Sequence, residues 1–256
     1  MQTVHDILDY LWTVAPEEGK ESWDNVGHLV GRRNAKVNHI LVSLDITMPV
    51  IQEAIEKGAQ LIVSHHPLIW DTYRHVTDSV FQQDKVLTLA EHKIAAICMH
   101  TNLDEAKDGV DDTLAETLGL TPECHLAEGT IGHVSTLPEP MELQAFLRVV
   151  KDRLHANGLR FCDGGRPVHR IATGCGSCGE YLADAVKAGC DTFITGDVKY
   201  SVMIDALGQG INLIDAGHFP TENPIVAKLQ RKLQSQFPEI HVEIAENIAQ
   251  PDQFFI

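Results

Sequence analysis

Apolar residues along this chain fall into two alternating textures. Short unbroken runs, such as Leu61-Ile62-Val63 and the stretch from Ile94 to Met99, are separated by segments of about ten residues with helical spacing. Val4, Ile7, Leu8 and Leu11 predict an amphipathic helix over residues 1–12. Strands are predicted at 39–45, 61–65 and 94–100, with helices at 49–58, 81–93 and 110–118. The helix over 49–58 has Pro49 near its start and Gly58 at its stop. The second half continues with strands at 169–174, 192–195, 211–215 and 241–245 and helices at 179–188, 200–207 and 222–235. Strands alternating with helices predict an α/β fold with an at least partly parallel sheet.

One part of this alternation is a sequence repeat. Shifted by 131 residues without a gap, the segment from Ala54 to His66 matches that from Ala185 to Asp197 at the helix end, the glycine and the strand. The reading is an internal duplication in which Gly196-Asp197 stands where the first copy has His65-His66. Residues 121–168 differ in texture, with prolines at 122, 138, 140 and 167 and the polar cluster from Asp163 to Arg166. They predict a boundary: one domain of 1–125 joined by a returning segment, 216–256, and a second, related domain of 126–215.

Composition narrows the class. The 256 residues are 44% hydrophobic and 22% charged, and no window approaches the roughly 20 apolar residues that span a bilayer. The N-terminus has neither a basic region nor a continuous apolar stretch, so it is not read as a signal peptide, and the expected location is cytoplasmic. A formal charge of −16 without a basic cluster disfavours nucleic acid and suits cation binding. The six cysteines are read as reduced thiols, and Cys175-Gly176-Ser177-Cys178 as a Gly-rich turn lacking the second pair of a zinc site.

The candidate chemistry sits where strands end. Ser64-His65-His66-Pro67 closes an apolar run, and two adjacent imidazoles leaving water need partners that a metal would supply. Pro67 ends the strand and lets the chain turn at the pair. Asp45, His100, Asp104, Asp197, Asp215, His218 and Glu222 also follow apolar runs, where open α/β sheets bind ligands. His100 to Asp104 and His218 to Glu222 are both His-x-x-x-acid. Asp45 and Asp197 are read first as helix N-caps, and the isolated His5, His75, His92, His125 and His155 as ordinary polar residues. Imidazole with carboxylate suits Zn, Mn, Fe or Ni, and the donors outnumber what one tetrahedral ion needs. Two ions and hydrolytic chemistry are therefore expected.

Trp23-Asp24-Asn25-Val26-Gly27, Ser64 to Leu68, His100 to Asp104, Thr195-Gly196-Asp197 and Asp215 to Glu222 together resemble, in order and over nearly the whole chain, the NIF-three-like dinuclear metal-centre proteins, also called GTP cyclohydrolase 1 type 2 homologues. The resemblance implies two related α/β domains of three-layer sandwich type, a toroidal homohexamer and a two-metal site. It implies His65, His66, Asp104, His218 and Glu222 as ligands, with His100 a cavity neighbour suited to proton transfer. Ser201 stands where many relatives carry a histidine, and the long insert of some relatives is missing. The implied activity is metal-dependent hydrolysis of a nucleotide-like small molecule. The alternative is a non-catalytic, metal-binding hexameric scaffold or regulator, and a mononuclear two-His-one-carboxylate iron site leaves two donors unexplained.

Overall fold

The computed structural model describes residues 1–127 and 131–255. The chain divides into two compact units, Met1–Lys107 with Val226–Ala249, and Asp108–Ile225 with Gln250–Ile256. Residues 108–125, 216–225 and 250–256, placed by sequence with the first domain, group with the second unit.

The first unit runs α1 (Val4–Val14), β1 (Gly27–Val30), β2 (His39–Ser43), α2 (Met48–Lys57), β3 (Leu61–Ser64), α3 (Phe81–Glu91), β4 (Ala95–Cys98) and the single-turn α4 (Thr101–Asp104). The second runs α5 (Val110–Leu118), β5 (Pro122–His125), β6 (His133–Met141), α6 (Leu143–Leu154), β7 (Arg160–Cys162), β8 (Val168–Thr173), α7 (Leu182–Lys187), β9 (Thr192–Thr195), α8 (Tyr200–Gln209), β10 (Asn212–Asp215) and α9 (His218–Glu222). Finally α10 (Pro224–Gln236) and β11 (His241–Ile244) lead back into the first unit.

The first sheet has the order β1-β4-β3-β2-β11, with β2, β3, β4 and β11 parallel and β1 antiparallel. The second has the order β5-β6-β8-β9-β10-β7, with β8, β9 and β10 parallel. In both, three parallel strands follow one another in sequence, and the strand preceding them pairs antiparallel with the third. This shared topology carries the internal duplication beyond its short sequence match. The central strands are buried on both faces, which is why they read as continuous apolar runs. Leu41, Ile62 and Ala96 pack with Val50, Ile51 and Ala54 of α2 and Leu89 of α3. Ala172, Phe193 and Leu213 do the same with Leu182 and Ala185 of α7 and Ala206 of α8.

Local signals behave as expected where caps are present. Thr47 accepts the amide N–H of Val50, Pro49 occupies the first turn, and Gly58 ends α2 in the left-handed region. The proline-rich stretch 121–168 folds as β5, β6, α6 and β7 within the second unit. Pro138 and Pro140 are exposed and lie where β6 bulges away from β8, so their missing N–H groups break no ladder bond. The helix expected over 222–235 is two helices, because Pro224 begins a new one after α9.

Candidate metal centre

In the first unit, His65 and His66 follow β3 directly. The chain turns there because the Ser64 hydroxyl donates to the His66 carbonyl at 2.8 Å, with Pro67 next. Both rings thereby come to one side, with centroids 4.9 Å apart. His100, just past β4, joins them at 5.1 Å from the His65 ring and 5.6 Å from the His66 ring. The ligand nitrogens of His65, His66 and His100 lie within 4.8 Å of one another. Asp104, at the end of α4, places Oδ1 3.4 Å from Nε2 of the wholly buried His65.

The second half of each ring's environment fixes its chemistry. Nδ1 of His65 lies 2.8 Å from the Met99 carbonyl, Nδ1 of His66 lies 2.8 Å from Asp45 Oδ1, and Nδ1 of His100 lies 2.9 Å from Asp24 Oδ1. Carbonyls and ionised carboxylates only accept, so each Nδ1 carries the proton and Nε2 is the nitrogen a metal would take. Asp45 is thus an orienting partner of His66, and Thr47 caps α2. Asp24 is a further member of this group that spacing did not single out. Burial pushes its carboxyl up, but hydrogen bonds from His100 and Thr101 outweigh that and hold it at about 2.

The second unit repeats the device. His218 and Glu222 lie one helical turn apart on α9, with His218 Nε2 3.0 Å from Glu222 Oε2. His218 Nδ1 lies 2.8 Å from Asp197 Oδ2, and Asp197 holds a left-handed backbone at φ 51° to reach it. Glu222 is almost wholly buried. The two His-x-x-x-acid segments occupy corresponding places, each a short helix after the third parallel strand of its sheet. Asp197 stands at the place of His66 and supports a ring where His66 presents one.

Two glycines make room. A Cβ on Gly176, whose φ is 55°, would overlap the Glu222 carboxylate, and one on Gly196 would meet the backbone of Gly217 and His218 at 2.7 Å. Cys175 to Cys178 is therefore a turn against α9, as its Gly-Ser texture suggests: the Gly176 N–H donates to Thr221 Oγ1 and the Cys178 N–H to Thr195 Oγ1. None of the six cysteines is in a disulfide. Asp215 accepts from the N–H groups of Gly217 and Val198, which shapes the turn before α9.

Imidazoles oriented through Nδ1, with buried or half-buried carboxylates beside Nε2, are groups that could hold a metal ion. The chain belongs to the Duf34/NIF3 (NGG1p interacting factor 3) family, whose model matches residues 2–251. It is 34% identical over 263 residues to a GTP cyclohydrolase 1 type 2 homolog of Clostridium acetobutylicum, with 98% of each chain covered. A Staphylococcus aureus hypothetical protein of solved structure is 29% identical with a TM-score of 0.91, and 99% of each chain is covered. A Bacillus cereus protein related to NIF3 shares the fold with a TM-score of 0.93 at 23% identity, again over 99% of each chain.

Proposed function

We propose that this chain is a divalent-metal-dependent hydrolase of a nucleotide-like small molecule, of the GTP cyclohydrolase type 2 kind. Its ligands for two ions would be His65, His66, Asp104, His218 and Glu222. The observation that carries the reading is the grouping of His65, His66 and His100, each with Nδ1 tied to an oxygen, so that Nε2 serves as ligand on His65 and His66 and for proton transfer on His100. The nitrogen and oxygen donors fit Zn, Mn, Fe or Ni.

Bound ions of this kind would supply a water that ionises near neutral pH and positive charge for a developing oxyanion. The chain's own residues do the rest. His100 offers Nε2 for proton transfer, while Asp24, ionised down to about pH 2, keeps Nδ1 protonated and fixes the ring. Trp70 and Trp23 stand edge-on to His100 at 5.2 and 6.0 Å and are 50% and 62% exposed. Asn25 Nδ2 donates to the Ile69 carbonyl at 2.7 Å and ties their two segments together. Half-exposed indoles beside the imidazoles suit a planar heterocycle.

The same reading includes a homohexamer and a cytoplasmic location. Supporting the assembly, Tyr200, Ile204 and Leu207 form an exposed apolar stripe on α8. Among the described residues no helix is long and apolar enough to cross a membrane.

The test is a turnover survey of metal-loaded protein on GTP, related nucleotides, phosphoesters and cyclic amides, with His100→Gln alongside. Metal-dependent turnover that falls at least 100-fold in His100→Gln, with metal retained, is expected for a proton-transfer residue. No metal-dependent turnover of any of these would overturn the hydrolase reading in favour of a metal-binding scaffold.

A further inference from the structure

We propose that His39, His241 and Glu243 form an additional divalent-metal site, which shares no residue with the one above and staples the returning strand β11 to β2. His39 and His241 are directly opposite in the parallel β2/β11 pair, and Glu243 lies two residues on, so all three share one face of the sheet. The two imidazole rings are 4.6 Å apart. Their nitrogens and a Glu243 carboxylate oxygen all lie within 4.8 Å of one another.

The protonation logic of His39 points to a cation. Its Nδ1 is 3.2 Å from the Lys57 carbonyl, which only accepts, so Nδ1 carries a proton. Nε2 lies 2.7 Å from Glu243 Oε1, another acceptor. With Nδ1 donating to the carbonyl, Nε2 presents its lone pair to Oε1, an arrangement that a cation seated between the two atoms satisfies. His241 adds a second nitrogen: its Nε2 lies 3.7 Å from the same Oε1, so one carboxylate oxygen faces both rings. Ligands of a tetrahedral zinc with bonds of about 2.0–2.1 Å are about 3.3 Å apart, and the observed 2.7 and 3.7 Å bracket that spacing.

The surroundings favour an added cation. Lys57 Nζ contacts Glu243 Oε2 at 3.1 Å, fixing the carboxylate so that Oε1 faces the imidazoles. The same ammonium also serves Glu53 at 3.0 Å and Glu246 at 2.9 Å, so three carboxylates share one positive charge. Two imidazoles and one carboxylate suit a borderline ion such as Zn²⁺ or Ni²⁺, with solvent completing the shell on the side of His241, which is exposed.

The experiment counts Zn²⁺ bound to chelator-stripped full-length protein by competition with a chromogenic chelator, and records the Zn²⁺-induced shift in melting temperature. The proteins are wild type, His241→Ala, His39→Gln and His65→Ala. His241 is exposed, so its replacement leaves the core intact. The expected result is one equivalent fewer in His241→Ala and in His39→Gln, with a smaller thermal shift, while His65→Ala retains that equivalent. Equal uptake by wild type and His241→Ala would overturn the proposal. The His65→Ala protein reads the hydrolase reading separately, because only that variant touches its ligand set.

Discussion

Asp24 and His100 are joined across 76 residues of sequence by a 2.9 Å hydrogen bond, from Nδ1 to Oδ1, while Asp24 Oδ2 takes the amide and hydroxyl of Thr101 at 3.0 and 2.6 Å. The carboxyl is held at about 2 against 3.8 when free. A depressed pKa in the folded state contributes stability that is present above the unfolded value and lost as pH falls through the folded one. At about 1.4 kcal/mol per pH unit, Asp24→Asn is expected to lose about 2–3 kcal/mol at neutral pH. Urea unfolding from pH 7 down to 2 should show the difference shrinking below pH 4. A constant difference would mean that Asp24 acts by packing alone.

The orienting carboxylates have a different signature. Asp45 and Asp197 each hold the Nδ1 of a histidine, His66 and His218, at 2.8 Å. Asp45→Asn and Asp197→Asn are expected to weaken metal affinity by about 10–100-fold with melting temperature of the stripped protein little changed. His65→Ala should lose bound metal outright. Elemental analysis with chelator competition checks both.

Trp70 leaves half its surface to solvent beside His100. Trp70→Ala is expected to weaken a stacked planar ligand by about 1–2 kcal/mol, roughly 10-fold, while metal content stays the same. Quenching of tryptophan fluorescence by nucleotides, compared between the two proteins, gives the answer directly.

Gly196 leaves no space for a side chain against Gly217 and His218. Gly196→Ala is expected to cost about 1–3 kcal/mol and to loosen His218, since the backbone of α9 must shift. Thermal unfolding with metal-affinity measurement should show both losses together. A stability loss without an affinity loss would separate the turn from the site.

The exposed stripe on α8 supplies a test of assembly. If the proposed hexamer forms through this stripe, Ile204→Asp is expected to lower the mass measured by light scattering, with the circular dichroism spectrum preserved.

Much of this protein was legible in one dimension. Parallel strands buried on both faces make short apolar runs, and the caps at Thr47 and Gly58 mark α2, so alternation and the α/β class follow from pattern. The grouped histidines were legible for a related reason: polar residues just past buried strands must sit at the sheet's carboxyl edge, which singles out His65, His66, His100 and His218. Harder to read were the elements in 121–168, where exposed prolines in a bulged strand mimic a linker.

What tertiary structure decided is which atoms meet. Asp24 is 76 residues from His100, and Asp197 is 21 from His218, separations at which no helical or strand period links two side chains. Asp45 and Asp197 read first as helix N-caps; the hydrogen bonds they accept from His66 and His218 make them orienting groups instead. Local sequence determines periodicity, caps and strand ends, because those depend on neighbours within a turn or a pleat. The proton on each Nδ1, the choice of Nε2 as ligating nitrogen and the pairing of His39 with His241 depend on contacts made only when distant strands come into register.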